Sequence, residues 1–105
     1  MFEHFTDANF DEKVIRSDKL AIVDFSAEWC GPCRIVSPII HELAVEYEGR
    51  MIAGEVNVDD NPVVTAKFKV RNIPTVLFIK NGEVIDKHVG AVPKSSYKVI
   101  IEKHI

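Results

Sequence analysis

The two cysteines of this chain lie in one short segment, Trp29-Cys30-Gly31-Pro32-Cys33, where an apolar run gives way to a helical pattern. Residues 20–25 before it are almost continuously apolar, which is typical of a strand covered on both faces. After it, apolar residues recur at the three- and four-residue spacings of an amphipathic helix: Ile35, Val36, Ile39, Ile40, Leu43, Ala44 and Tyr47. The chain must therefore pass from a buried strand into a helix through a turn that carries two thiols.

The rest of the chain also alternates between strand and helix patterns, without an internal repeat or a linker. Before the motif we predict a short helix that starts at Thr6 or Asp7 and has Phe10 and Val14 on its inner face. After the motif helix, which we expect to end in a left-handed cap at Gly49, we predict a strand over residues 51–58 and then a helix that is capped by the Asn61 side chain, has Pro62 at its first position and runs to about Phe68. The chain should end with a hairpin of residues 75–80 and 83–85 around Asn81-Gly82 and a last helix after Pro93.

This order of elements predicts an α/β fold. Strands joined by crossover helices pair in parallel, and a hairpin adds an antiparallel pair, so we expect a single mixed β-sheet flanked by helices on both faces. A chain of 105 residues without an internal boundary is expected to form one domain, residues 1–105.

Charge and cysteine content exclude several classes of partner. The net charge is −3, from 13 basic and 16 acidic residues without a block of like charge, so we expect neither nucleic acid nor a membrane as a partner. The first residues lack the basic and apolar regions of a secretory signal, and two cysteines are too few for a disulfide-stapled secreted scaffold. We therefore expect a cytoplasmic protein whose cysteines take part in chemistry.

A C-x-x-C motif is used either for metal binding or for thiol–disulfide exchange. A tetrahedral zinc site would need two more ligands, and the histidines are scattered without ligand spacing, at positions 4, 41, 88 and 104. We interpret each of them as a solvated residue and expect no bound metal. A C-x-x-C beside a strand–helix unit favours redox chemistry.

The position of the two thiols predicts different roles for them. Cys30 lies at the predicted helix start, where unpaired N–H groups and the helix dipole favour its thiolate, so we expect it to be the solvent-accessible nucleophile. Cys33 lies one turn further in and should be more buried and less acidic, as the resolving thiol. Pro32 suits the first helical turn because it lacks an N–H. The alternative, a purely structural disulfide, is weak, because so small a ring contributes only about 2 kcal/mol.

Asp24 is the one acid in the apolar run 20–25. It lies either at a strand edge with its carboxylate in water, or buried, where desolvation raises its pKa. We expect burial, because the residues on either side are apolar. A buried carboxyl beside two thiols could act in general acid–base catalysis, taking the proton of Cys33 as that thiol attacks.

Two prolines interrupt predicted elements. Pro74, in Ile73-Pro74-Thr75, precedes a central strand, either as a simple strand-start residue or in a cis peptide that leaves backbone groups free to pair with a target peptide. Pro38 lies inside the helix after the motif, where its ring opposes the Arg34 carbonyl and predicts a kink.

Together these residues resemble the thioredoxin family, and the resemblance covers nearly the whole chain. The segments that carry it are Val23-Asp24-Phe25, Ala27-Glu28 with the cysteine motif, Pro38, Asp59, Asn61-Pro62, Ile73-Pro74-Thr75, Lys80-Asn81-Gly82 and Val89-Gly90-Ala91.

The resemblance implies the thioredoxin fold, a cis bond before Pro74 and the reduction of disulfides in protein substrates. It implies that an apolar substrate groove surrounds Cys30, lined by Trp29, Ile73, Pro74, Gly90 and Ala91, with Gly31 and Pro32 forming the active-site turn. It also implies regeneration by a separate thioredoxin reductase, either NADPH- or ferredoxin-linked. The chain itself has no G-x-G-x-x-G dinucleotide loop, and we expect it to be a monomer without a cofactor.

Two residues depart from the commonest pattern of the family. Ser26 stands where an aromatic residue is often found, and Glu55 where a lysine often neighbours the buried acid. If Glu55 lies close to Asp24, it should raise the pKa of Asp24 further. Two other functions remain open: an oxidant or isomerase domain of the disulfide isomerase type, which Gly31-Pro32 disfavours, and a thioredoxin-fold binding module or subunit whose redox activity is incidental.

Overall fold

The computed structural model describes residues 2–105 and contains one five-stranded β-sheet. The strands are β1 (Phe2–His4), β2 (Leu20–Ser26), β3 (Met51–Asn57), β4 (Thr75–Lys80) and β5 (Glu83–Val89), in the spatial order β1-β3-β2-β4-β5. Strands β1, β3 and β2 pair in parallel, whereas β4 pairs antiparallel with both β2 and β5. The mixed sheet expected from the sequence is confirmed.

Residues 2–105 also contain three α-helices and one π-helical turn, of which the last helix follows strand β5. The helices are α1 (Cys33–Glu46), α2 (Pro62–Lys67) and α3 (Lys94–His104), and the π-helical turn covers Asp11–Ile15. No helix within residues 2–105 has the length and apolar content to cross a membrane.

Strand β2 lies between two hydrophobic cores, and all seven of its residues are buried. Because side chains alternate along a strand, Leu20 and Ile22 pack with α1 and α3 on one face of the sheet. Ala21, Val23 and Phe25 pack on the other face with the π-helical turn and α2. Helices on both faces therefore explain why this strand is apolar at nearly every position, and that prediction is confirmed.

Strand β1 is absent from our sequence prediction. It pairs with β3 from Phe2 opposite Ala53 to His4 opposite Glu55. Gly54 permits this approach, since a Cβ on that residue would collide with the backbone oxygen of Glu3 and would lie 2.7 Å from the Phe5 ring. The pairing places His4 beside Glu55.

The predicted start of the first helix at Thr6 or Asp7 is wrong, because the helical segment begins at Asp11. The Thr6 hydroxyl accepts a hydrogen bond from the Asn9 N–H at 3.2 Å, and the segment then forms the π-helical turn instead of an α-helix. Phe10 and Val14 are both buried, as predicted.

Most turns follow the prediction. The predicted cap at Gly49 is an exception: its φ is the left-handed 83°, but α1 ends at Glu46 and its C-cap is Tyr47, so the cap prediction is wrong. Asn81 and Gly82 have φ values of 52° and 79°, as a type I′ hairpin turn requires. Pro38 lies inside α1 and Pro62 is the first residue of α2. The kink at Pro38 stays a prediction.

The predicted cap of α2 by the Asn61 side chain is wrong. That side chain instead accepts from the Asp7 N–H at 3.0 Å and donates to the Asn57 carbonyl at 3.0 Å. The helix is capped by Asp7, whose carboxylate accepts from the N–H groups of Val63 and Val64 at 3.2 and 2.8 Å. The carboxylate of Asp7, distant in sequence, therefore caps α2, and the Asn61 side chain holds the loop that carries Asp7.

Replacing Asp7 by Ala should lower the free energy of unfolding by about 1–2 kcal/mol, because two N–H groups of α2 lose their partner. Urea unfolding measures the change. Asp18→Ala, at an exposed acid, is the matched control and should leave stability nearly unchanged. Equal losses in the two variants would contradict the assignment of Asp7 as the cap.

Candidate active site

The two cysteines lie where β2 passes into α1. They form the Cys30–Cys33 disulfide, with a Cα–Cα distance of 5.4 Å. The redox pair expected from the sequence is thus within bonding distance. Gly31 and Pro32 form the turn between them, and α1 starts at Cys33, so the predicted helix start at Cys30, with Cys33 one turn further in, is wrong.

The start of α1 contacts the sulfur of Cys30 directly. The N–H of Cys33 donates to Cys30 Sγ at 3.3 Å. This N–H belongs to the first turn of the helix, where backbone donors have no partner within the helix. A donor at this place, together with the positive end of the helix dipole, stabilises negative charge on the Cys30 sulfur.

Both cysteines are buried in the disulfide form. Cys30 is 4% exposed and Cys33 is 2% exposed, so the expected contrast between an open and a buried thiol is slight. The reason is the packing around the bond: Ala27 joins both cysteines in one cluster, against which Val58 and Ile73 pack.

Asp24 is fully buried, as predicted. Its Oδ2 accepts a hydrogen bond from the Ser37 hydroxyl at 3.1 Å. Its Oδ1 is buried without a hydrogen-bond partner among residues 2–105. The carboxyl group is therefore held on one oxygen only.

Burial raises the pKa of Asp24 from 3.8 to about 7. Desolvation is the largest cause, the hydrogen bond from Ser37 opposes it, and the negative charge of Glu55 adds to it. Glu55 is opposite Asp24 in the pairing of β2 with β3, so the effect expected from this departure in sequence is present. A carboxyl with a pKa near 7 can both accept and release a proton at neutral pH.

The residues expected to line a substrate groove differ in their exposure and in the residues that they contact. Trp29 is 68% exposed, and its ring N–H donates to Asp59 Oδ2 at 2.8 Å. Ile73 packs against the cysteine cluster, and its peptide bond to Pro74 is cis, as the resemblance implies. The Gly90 N–H donates to the Pro74 carbonyl at 2.8 Å, which joins the two loops.

The last of these residues, Ala91, follows Gly90 and is exposed. The structure thus brings Ile73 to the disulfide and links Gly90 to Pro74, whereas the Trp29 ring is held by Asp59.

The interpretation of every histidine as a solvated residue is wrong for His88. That side chain is half-buried and packs edge-on against Tyr97, with ring centroids 5.6 Å apart. His41 is exposed but stacks on Phe2 at 3.6 Å. Across residues 2–105, no three His, Cys, Asp or Glu side chains lie where they could hold a metal ion together.

Sequence reasoning missed the contacts made by Ser37, Asp59 and His4. Ser37 follows Cys33 by one helical turn, so the spacing alone could have placed it on the same helix face. Trp29 bonds to Asp59, and His4 Nδ1 lies 3.8 Å from Glu55 Oε1. Both contacts join residues far apart in the chain, so no local sequence pattern predicts them.

Because the pKa of Asp24 is raised, we expect the free energy of unfolding of the oxidised protein to depend on pH. Because its folded pKa of about 7 lies above the ordinary 3.8, the stability it contributes is complete below about pH 4 and is lost as the pH rises through 7. Asp24→Asn should therefore match the wild type near pH 4 and be more stable by up to about 4 kcal/mol at pH 8. Urea unfolding at both pH values measures this.

The control for that experiment is Asp18→Asn, at an exposed carboxylate, which should show no comparable gain at pH 8. A stability difference between Asp24→Asn and the wild type that is the same at pH 4 and pH 8 would contradict a raised pKa at Asp24.

Comparison with known proteins agrees with this geometry. The Thioredoxin family model matches residues 1–103. The chain is 48% identical over 100 residues to Thioredoxin 2 of Chlorobaculum tepidum, which covers 95% of this chain and 92% of that protein. It is 46% identical over 102 residues to the thioredoxin of Haemophilus influenzae, covering 97% and 95%, and 45% identical over 100 residues to Thioredoxin 1 of a Nostoc species, covering 95% and 94%. This chain belongs to the thioredoxin family.

Proposed function

We propose that this dithiol–disulfide oxidoreductase acts as a protein-disulfide reductase in which Cys30 is the nucleophile and Cys33 the resolving thiol. The observation that carries the assignment is the hydrogen bond from the first N–H of α1 to Cys30 Sγ. Cys33 itself begins the helix and supplies this N–H.

The reaction consists of two exchanges. The Cys30 thiolate attacks one sulfur of a target disulfide, the target bond breaks, and the other target sulfur leaves as a thiolate. Cys33 then loses its proton and attacks Cys30 Sγ. The bond between Cys30 and the target breaks, the second target thiolate leaves, and the Cys30–Cys33 disulfide forms. Two electrons pass from the cysteine pair to the target.

Asp24 is the base that we assign to the second exchange. Its buried carboxyl has a pKa of about 7, so both its ionised and its neutral forms occur near neutral pH. It contacts Ser37, which lies one helical turn after Cys33 on α1. The proton of Cys33 would pass to Asp24 as Cys33 attacks.

The substrate groove expected from the sequence is part of the same proposal. Trp29 is exposed next to Cys30, and Ile73 packs against the disulfide. Pro74, Gly90 and Ala91 extend this surface through the bond between the Gly90 N–H and the Pro74 carbonyl. An extended peptide that carries the target disulfide would lie over these residues.

The protein partners follow from membership of the family: protein disulfides as substrates and a reductase as electron donor. We further propose that the donor is a thioredoxin reductase, either NADPH- or ferredoxin-linked. In this proposal the chain acts as a monomeric, cytoplasmic domain over residues 1–105, without a nucleic-acid or membrane partner.

Substituting one cysteine at a time tests the two roles. Cys33→Ser should form a covalent mixed disulfide with insulin that persists, because nothing resolves it, whereas Cys30→Ser should trap at least about tenfold less, since it lacks the activated nucleophile. Non-reducing electrophoresis with mass spectrometry of the trapped species measures this.

The double Cys→Ser variant is the control and should trap nothing. Equal trapping by both single variants would contradict the division of roles. Failure of the wild-type protein to reduce insulin disulfides with dithiothreitol as the electron donor would contradict the reductase itself.

A further inference from the structure

A cavity of about 670 Å³ lies behind the cysteine pair and reaches the end of the sheet at β1. Cys33 and Ser37 of α1 line it, together with Glu55 of β3 and His4 of β1. The disulfide partner Cys30 is not among its lining residues. Cys33 and Ser37 therefore border one cavity, although Asp24 is not among its lining residues.

Ser37 holds one of the two oxygens of Asp24. Its hydroxyl donates to Oδ2 at 3.1 Å, while Oδ1 has no partner in the described part of the chain. A buried carboxylate held by one hydrogen bond has its rotation restricted, and the two oxygens are no longer equivalent. Only the unpaired oxygen has its full capacity to accept a proton.

We infer that Ser37 is a positioning residue for the reductase reaction: its hydroxyl holds Asp24 Oδ2 so that Oδ1 is the atom that receives the proton of Cys33. This inference rests on the role proposed above for Asp24. The spacing on α1 agrees with it, since Ser37 lies one turn after Cys33 and the two side chains share a helix face.

The proton transfer balances within the site. The Cys33 S–H bond breaks, the proton joins Asp24 Oδ1, and the resulting thiolate attacks Cys30 Sγ in the mixed disulfide. The target leaves as a thiolate, and the neutral Asp24 carboxyl keeps its contact with Ser37 through Oδ2. No oxidant other than the target disulfide is needed.

Among the titratable groups on the elements around Asp24, Glu55 is the one that raises its pKa. Glu55 is opposite Asp24 on β3, and Tyr97 on α3 interacts with the charge of Asp24. On α1, Cys33 lies one turn before Ser37, the hydrogen-bond partner of Asp24. His4 on β1 lies behind Glu55, at 3.8 Å from that carboxylate. The residue opposite Asp24 on β4 is the apolar Val76.

The experiment measures the second exchange in a single turnover. Reduced protein is mixed with insulin, and rapid quenching follows the mixed disulfide and the released target thiol between pH 6 and 8.5. In the wild type the rate of resolution should rise with the ionisation of Asp24 and reach a plateau. Ser37→Ala should lower that plateau at least about tenfold, because positioned acid–base catalysis supplies roughly 10²–10⁴-fold, and should move the midpoint to higher pH.

Four further variants separate positioning from other effects. Ser37→Thr restores the hydroxyl and should return the plateau to within about twofold of the wild type. Glu55→Gln removes a negative charge and should move the midpoint to lower pH without lowering the plateau. Asp24→Asn should lower the plateau more than Ser37→Ala does. Ser95→Ala, at an exposed serine of α3, should match the wild type.

The outcomes are distinguishable. A Ser37→Ala profile that is only displaced along the pH axis, with its plateau unchanged, would overturn the positioning role. So would a failure of Ser37→Thr to restore the rate, or an Asp24→Asn variant that resolves as fast as the wild type. If the reductase proposal itself were wrong, the wild-type protein would not reduce insulin at all.

Discussion

The proposed chemistry of the site depends on the contact between the first N–H of α1 and the sulfur of Cys30. A helix leaves its first backbone donors without partners, and α1 directs such a donor at the sulfur of Cys30, three residues before the helix begins. The contact requires that α1 start at Cys33, and Gly31-Pro32 makes this possible by forming the turn before it. Strand β2 and the rest of the sheet serve to hold that helix start in place.

The sheet also fixes the second chemical group. Asp24 lies within β2, opposite Glu55 of β3 and Val76 of β4, and its side chain is fully buried in contact with Ser37 of α1. Burial raises its pKa, and Glu55 raises it further, while the Ser37 hydroxyl acts in the opposite direction. Two neighbours of Asp24, one on β3 and one on α1, therefore shift its pKa in opposite directions.

What could be predicted from the sequence is mostly local. The apolar run 20–25, the helix periodicity after the motif and the Asn81-Gly82 turn each depend on neighbours in sequence, and all three are confirmed. Strand β1 has three residues, too few to show alternation, and its partner β3 begins at Met51. The cap of α2 by Asp7 and the bond from Ser37 to Asp24 join separate elements, so they arise only from the packing.

The pH dependence of alkylation of the reduced protein tests the central claim most directly. Iodoacetamide labelling between pH 5 and 9, with the modified cysteine identified by mass spectrometry, should modify Cys30 first and with a midpoint well below the value of about 8.5 of an ordinary thiol. Cys33 should react much more slowly at every pH below that value. Equal rates at the two cysteines, or a midpoint for Cys30 near that of an ordinary thiol, would contradict the stabilisation of its thiolate by the helix.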